Sequence, residues 1–217
     1  MENWEQAPVD AKLRAALHLM ASLCSEPTEV GRSHVDELRA AGVDDEGIFK
    51  LAELNVHFQF INRVADAFDF EVPVGEQKAA MAKLLNFAGR MSGGKRKQAA
   101  IRCNDGRLRV PELEAQRQKM LTQGIELDPA YARRVVDFVT RCRREVGEIP
   151  REGLSEPVAI YLEKLARYAY RISDEEFEAA KAERGSVEFI YELTLLGCYA
   201  ASSVGVEELY EHLDLGI

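Results

Sequence analysis

Two side chains able to transfer protons, Glu53 and His57, lie four residues apart in the segment AELNVHF. Residues at this spacing share one face of a helix, so the carboxylate could orient the imidazole for general acid–base catalysis. In that interpretation the pair lines a small pocket, and Asn62 with Arg63, from the same or a neighbouring subunit, selects an anionic ligand. The alternative is a pair at the solvent edge that stabilises the helix by about 0.3–0.5 kcal/mol. A buried cavity beside the pair would favour the catalytic interpretation.

The four cysteines are far apart in sequence, at positions 24, 103, 142 and 198. This distribution is typical of reduced, mostly buried thiols rather than of a disulfide framework or a zinc site, so we expect no metal and no cofactor. Cys142 has arginine neighbours that would favour a reactive thiolate, but helical spacing puts them on the opposite face. Because two redox thiols must approach within disulfide geometry, the spacing predicts no dithiol-dependent hydroperoxide reduction.

The proton-transfer pair belongs to a predicted helix that runs from about Glu46 to Phe68, after a short helix ended by Gly42 and an N-cap at Asp44. The helix has two apolar faces, so it must pack on two sides. One face comprises Leu51, Leu54, Phe58, Ile61, Ala65 and Phe68, and the other Phe49, Ala52, Val56, Phe60 and Ala67. Between them lie two polar stripes, Lys50/Glu53/His57 and Asn55/Gln59/Asn62/Asp66. One stripe must face water, and the other is free to face the interior.

A family resemblance rests on LRAAG at residues 38–42, on Asp44 to Ile48, and on the long apolar helix ending in NRVADAF at residues 62–68. From about Leu13 to Phe70 the chain resembles the second half of alkylhydroperoxidase D-like proteins, the carboxymuconolactone decarboxylase superfamily. The resemblance implies an all-helical fold and homo-oligomers. Peroxidatic members carry a CxxC motif and a histidine on a preceding helix, and this chain has no such motif.

The end of the chain repeats the order of elements found at its beginning. On this alignment residues 11–70 and 157–213 form two copies of one helical unit, with Ile48–Leu51 matching Ile190–Leu193 and Gly42 matching Gly185 after a one-residue deletion. The stretches AYRISDEEF and FIYELT also resemble the same superfamily. The alignment replaces the polar residues of copy one by apolar or small ones: Glu53 by Leu195, His57 by Tyr199, Asn62 by Val204 and Arg63 by Gly205. We therefore interpret copy two as packing.

Residues 90–151 carry 15 Lys and Arg against 8 Asp and Glu, whereas the whole chain has a net charge of −9. A basic block in an acidic chain is suited to packing against its own acidic surface, docking a partner subunit or binding a small anion. Few aromatic residues interleave with it, which argues against nucleic-acid binding. The predicted organisation is a first unit over residues 1–72, the basic insert with connecting helices over 73–154 and a second unit over 155–217, fused into one compact domain.

No apolar run reaches the ~20 residues of a membrane span, and the first ten residues lack the features of a signal peptide, so we expect a cytoplasmic protein without a membrane partner. We predict an all-α, alkylhydroperoxidase D-like bundle of two tandem units related by a pseudo-twofold axis. The predicted function is a non-peroxidatic binding or assembly role, with a homo-oligomer (dimer or trimer) and a small anionic ligand as partners. The alternative is a carboxymuconolactone-decarboxylase-like enzyme that acts on a small carboxylate through Glu53 and His57, without redox cysteines.

Overall fold

The computed structural model describes residues 7–70, the strands β1 (Ile101–Arg102) and β2 (Leu108–Arg109), and residues 111–215. The α-helices in these ranges are α1 (Ala11–Ser25), α2 (Arg32–Ala40), α3 (Asp45–Ala67), α4 (Pro111–Thr122), α5 (Pro129–Arg144), α6 (Glu156–Tyr168), α7 (Asp174–Lys181), α8 (Val187–Ser203) and α9 (Val206–Tyr210). The two strands pair antiparallel, with Ile101 opposite Arg109. The predicted all-α class is confirmed. The spacing of Met81, Leu84, Leu85 and Ala88 predicts a helix over residues 77–91, which lies outside the described residues. Cys103 and the basic residues at 95–97 and 107 also lie outside them.

Asp44 and Asp128–Pro129 are residues that favour a helix start, and both starts have capping geometry in the structure. The Asp44 carboxylate accepts a hydrogen bond of 2.8 Å from the Gly47 N–H at the start of α3. The Asp128 carboxylate accepts the N–H groups of Ala130 and Tyr131, each at 2.9 Å, with Pro129 at the first position of α5. Among the described helices, none combines the length and the apolar character that a membrane crossing requires.

The core consists of two apolar clusters joined by the long helices α3 and α8, which make the most extensive contact between any two described elements. One cluster lies among α1, α2 and α3, and the other among α5, α6, α7 and α8. The short helix α9 follows α8 in sequence but packs in the first cluster, where the rings of Tyr210 and Phe49 are 4.6 Å apart. Gly205 permits this crossing: its φ is +84°, and a Cβ there would lie 2.5 Å from the Pro27 carbonyl oxygen.

The two halves of the chain share an order of elements. In each, a helix leads to a 3₁₀ turn, a short helix, a glycine with positive φ and a long helix. The turns are Pro27–Glu29 and Ala169–Arg171, and the glycines are Gly42 at φ +84° and Gly185 at φ +65°. This order is the one that the sequence alignment of the two copies uses; the pseudo-twofold relation between them stays a prediction.

Candidate functional site

One polar stripe of α3 faces the interior. Asn55 and Gln59 are buried, with 1% and 7% of their surface exposed, and Arg63 is partly buried one turn further on. The other stripe faces outward, since Lys50 and His57 are exposed. Asn55, Gln59 and Arg63 are spaced four residues apart, so their side chains form a single row along the helix. This row extends past the end of α1. The interior row is the starting point of the candidate site.

Gln59 and Arg143 both donate to the last turn of α1. The Gln59 amide nitrogen lies 3.2 Å from the Leu23 carbonyl oxygen, and Nη2 of Arg143 lies 3.3 Å from the same oxygen and 3.0 Å from that of Cys24. The last carbonyls of a helix have no intrahelical partner and carry the negative end of its dipole. Arg143 at the end of α5 and Gln59 on α3 therefore cap α1 together.

A second guanidinium lies next to this cap. Nη2 of Arg63 donates to Oε1 of Gln59 at 3.3 Å, so the Leu23 carbonyl and the Gln59 amide link Arg63 to Arg143. Within the described residues neither guanidinium forms an ion pair, and the Nε of each is buried without a hydrogen-bond partner. Burial lowers the pKa of Arg143 to about 10, and the neighbouring charge of Arg63 acts in the same direction. Two like charges in a partly buried site favour the binding of an anion nearby.

Cys24 and Asn55 form the wall beside the two arginines. The Cys24 thiol donates to Oδ1 of Asn55 across 3.7 Å, and the Asn55 amide nitrogen is buried without a partner. Burial raises the pKa of the Cys24 thiol, although Arg63 and Arg143 act in the opposite direction. The unused amide N–H groups add a further donor to a site that already has an excess of donors.

A cleft of about 690 Å³ opens where α1 ends, α2 begins and α5 ends. Its lining includes four hydroxyl side chains, two imidazoles and one of the two arginines: Ser22, Ser25, Thr28, Ser33, His18, His34 and Arg143. The rings of His18 and His34 are 5.1 Å apart, and Nδ1 of His18 lies 2.7 Å from the Glu37 carboxylate. The cleft gives Arg143 one side that a small molecule can approach from solvent.

The residues predicted from sequence fall in different places. His57 is exposed, and its Nδ1 lies 2.8 Å from the backbone carbonyl oxygen of Glu53. The partly buried Glu53 carboxylate adds to burial in raising the pKa of Tyr210. Neither Glu53 nor His57 lines the cleft or either of two cavities that flank α8, so the catalytic role of the pair stays a prediction. Asn62 is exposed, and only Arg63 joins the polar interior.

Helical spacing along α5 predicts a solvent-facing side of Arg133, Arg134, Arg141, Arg143 and Arg144, and for Arg143 that prediction was wrong. The last turn of α5 meets the end of α1, so a side chain that helical spacing directs to solvent is partly buried there. Four other arginines of the basic block lie against glutamates: Arg117 with Glu114, Arg141 with Glu145, Arg144 with Glu208 and Arg151 with Glu156. The first two pairs lie within the block, and the last two join it to the acidic part of the same chain.

Two of the three described thiols are inert by burial, whereas Cys24 is exposed. Cys142 and Cys198 are 2% and 0% exposed, and burial raises the pKa of each to about 12. Arg167 and Arg141 lower the pKa of Cys142 by less than burial raises it, so a low-pKa thiol at Cys142 is contradicted. Within the described residues no group of three or more His, Cys, Asp or Glu side chains could hold a metal ion.

Two cavities follow one another along α8. One of about 560 Å³ lies between α4 and α8 beside Leu195, and one of about 610 Å³ lies between α5 and α8 beside Tyr199. On the repeat alignment these residues occupy the positions of Glu53 and His57. In copy one a pocket was expected beside Glu53 and His57. In copy two the aligned residues do line cavities, but they are the aliphatic Leu195 and the phenolic Tyr199.

Comparison of the chain with protein-family models, with curated proteins and with solved structures finds no match. A function for the chain is therefore inferred from its residues and from the geometry of the site.

Proposed function

We propose that this protein is a non-peroxidatic relative of the alkylhydroperoxidase D-like proteins, built from two tandem helical units, and that it binds a small anionic ligand. The residues LRAAG and NRVADAF support the relationship, as does the shared order of elements in the two halves. Binding, rather than thiol chemistry, is the role that the described side chains favour. A ligand with negative charge is the kind that the excess of donors at the site can satisfy.

The observation that carries the proposal is the arginine pair. Arg63 and Arg143 are linked through the Leu23 carbonyl and the Gln59 amide, and within the described residues no carboxylate pairs with either guanidinium. A partly buried cation that lacks a counter-charge costs free energy, and an anion that enters the site recovers it. Guanidinium groups bind carboxylate and phosphate oxygens with matched geometry, so these are the anions we expect.

Thermal unfolding in the presence of small anions tests the proposal. We expect acetate, phosphate or sulfate to raise the melting temperature of the wild type above its value in chloride at equal ionic strength. Arg63→Met and Arg143→Met should lose this increment, because each removes one cation while keeping an apolar side chain. Arg133→Met is the matched control, since Arg133 is exposed on the same helix as Arg143. The proposal is wrong if both site variants respond to anions as Arg133→Met does.

The non-peroxidatic part of the proposal has its own test. We expect no dithiol-dependent turnover of an alkyl hydroperoxide, because Cys142 and Cys198 are buried with raised pKa values and Cys24 also has a raised pKa. Single Cys→Ser variants at all four positions, including Cys103, complete the assay. Turnover that disappears when any two cysteines are replaced would contradict this part and leave anion binding to be judged separately.

A further inference from the structure

His34 is a buried imidazole with one nitrogen unused. It is 9% exposed, its Nε2 lies 3.1 Å from the Ser22 hydroxyl oxygen, and its Nδ1 is buried without a partner. Both residues line the cleft that also reaches Arg143. A buried polar nitrogen without a partner costs about 1–3 kcal/mol unless something satisfies it. The unused nitrogen therefore indicates that a further group belongs in this cleft.

The start of α2 adds donors to the same cleft. Its N-cap is Gly31, which has no side chain to cap the helix, so the first N–H groups of this nine-residue helix have no side-chain acceptor at that position. Ser33 and His34 from this first turn line the cleft. The N-terminus of a helix favours negative charge. Donors thus come from three elements: Ser22 on α1, His34 with the first turn of α2, and Arg143 on α5.

We propose that this cleft binds a phosphate group, free or esterified to a small molecule, among Arg143, His34 and Ser22. The inference rests on the proposed function, since it names the class of anion and adds His34 and Ser22 to the arginine pair. A tetrahedral oxyanion presents oxygens in several directions and suits donors that surround it from three elements. A carboxylate presents two oxygens in one plane and would satisfy fewer of them.

Acidic side chains at the cleft restrict what the phosphate can be attached to. Glu26 and Glu29 lie in the lining and are exposed, and Glu145 is already bound to Arg141 at 2.9 Å. These carboxylates repel a second anionic group, which disfavours polyphosphates and nucleic acids as ligands. The organic part of an esterified ligand is therefore small and neutral or cationic.

Binding is linked to a proton on His34. Burial lowers the pKa of His34, the neighbouring His18 lowers it further, and Glu37 raises it. The other charged groups of the cleft are Glu26, Glu29, Arg143, Arg144 and Glu145. An oxyanion near the ring favours the imidazolium, whose two N–H groups would donate to Ser22 and to the ligand. Affinity therefore rises as pH falls, because the complex takes up a proton.

Isothermal titration calorimetry with sulfate tests the inference. Sulfate has the shape of phosphate but does not titrate in this range, so any pH dependence comes from the protein. For the wild type we expect the dissociation constant to decrease by about fivefold to tenfold between pH 8 and pH 6, as uptake of one proton allows. His34→Gln should make it nearly independent of pH, because the amide keeps a donor toward Ser22 but does not protonate. His212→Gln, at a histidine outside the lining of the cleft, is the matched control and should behave as the wild type.

A measurement on the wild type covers the case in which His34→Gln fails to fold. In nuclear magnetic resonance titrations of the histidine rings, sulfate should raise the midpoint of His34 and leave that of His57 unchanged. The inference is overturned if sulfate binds no more tightly than acetate, or if the His34 midpoint does not move. If the arginine variants lose the response to anions while His34→Gln matches the wild type, the proposed function stands and this inference fails.

Inorganic phosphate and O-phosphoethanolamine, compared at pH 7, separate the two sources of the phosphate group. Tighter binding of O-phosphoethanolamine assigns the ligand as a phosphomonoester, and tighter binding of inorganic phosphate assigns it as the free ion. Either order supports the site, provided that Ser22→Ala weakens the tighter ligand. If Ser22→Ala binds the tighter ligand as well as the wild type does, Ser22 does not contact the phosphate and the inference is overturned.

Discussion

Helices α3 and α8 pack against each other, yet they use their surfaces in opposite ways. α8 is closely covered: Leu196 and Ala200 are buried on one side, and Gly197 and Ala201 lie within the core. On α3 the repeat alignment matches Leu54, Phe58 and Ile61 to Leu196, Ala200 and Ser203. These three α3 residues are 46%, 53% and 58% exposed. α5 covers α8, while no described helix covers this side of α3.

The interiors of the two helices differ as well. α3 buries a polar row that ends in Arg63, and its amides are bonded to the end of another helix. α8 buries small hydroxyls whose bonds are complete: Thr194 donates to the Ile190 carbonyl and Ser202 to that of Cys198, and the Thr194 oxygen also lies 2.6 Å from the Tyr161 hydroxyl of α6. The polar row of α3 keeps buried donors without partners, at Asn55 and Arg63, and so creates a site, whereas fully bonded hydroxyls permit close packing. Substitutions in the two helices should therefore differ in their effects, with the largest loss of stability in α8.

Close packing at Gly197 should be the most sensitive feature of α8. A Cβ there would lie 2.7 Å from Leu165 Cδ2 and 3.1 Å from Leu162 Cδ2. We expect Gly197→Val to lower the free energy of unfolding by about 2–3 kcal/mol through overpacking. Chemical denaturation measures this, with Gly31→Ala as control, because a Cβ at Gly31 meets its nearest atom at 3.8 Å. An equal loss in both variants would show that α8 is no more tightly packed than the surface.

Removing the polar row from α3 should cost less. Gln59→Leu makes α3 resemble α8, but it leaves Arg63 without its described acceptor and removes one donor to Leu23. We expect a loss of about 1–2 kcal/mol in the free energy of unfolding. Gln123→Leu, at an exposed position, should change it by less than about 0.5 kcal/mol. If Gln59→Leu is stabilising, the row is a passive polar patch rather than a network.

Titration between pH 7.5 and pH 5.5 reports mainly on the half that contains α3, because the only histidine after residue 57 is His212. Burial lowers the pKa of His34 below that of the unfolded chain, so the unfolded state binds more protons in this range. Stability should therefore be complete above about pH 6.5 and fall as pH decreases through the folded-state pKa. Melting temperatures of the wild type and of His34→Gln across this range measure it. A steeper fall of the melting temperature in His34→Gln than in the wild type would contradict a lowered pKa of His34 in the folded state.

The exposed apolar residues of α3, which are Leu54, Phe58 and Ile61, should contribute least to folding and most to association. We predict that the protein is a dimer or trimer through the stripe Leu54, Phe58 and Ile61, because exposed apolar stripes of this kind mark contact surfaces. Phe58→Glu should change the free energy of unfolding by less than about 0.5 kcal/mol and give a monomer in light scattering. Val187→Glu, at an exposed apolar residue of α8, should keep the oligomer. A monomeric wild type at micromolar concentration would contradict the prediction.

The sequence by itself determined where α3 and α5 begin, although it did not predict α4 (Pro111–Thr122). The start of α3 after Asp44 and that of α5 after Asp128 result from local capping chemistry, and the predicted span Glu46 to Phe68 differs by one residue at each end from Asp45–Ala67. Helical spacing also separated the two polar stripes of α3 and the two apolar faces. These features depend on neighbours within one or two turns, which is why the residues alone specify them.

Only the tertiary structure decided which stripe faces inward and which apolar face stays exposed. The stripe of Asn55 and Gln59 became the interior one because the end of α1 presents unsatisfied carbonyls to it. Arg143 joined the site because α5 ends beside that same turn, although Leu23 is 120 residues away in sequence. No local pattern encodes such a meeting, since it depends on how separate helices pack. The cleft at His34 exists for the same reason: it lies where three helix ends come together.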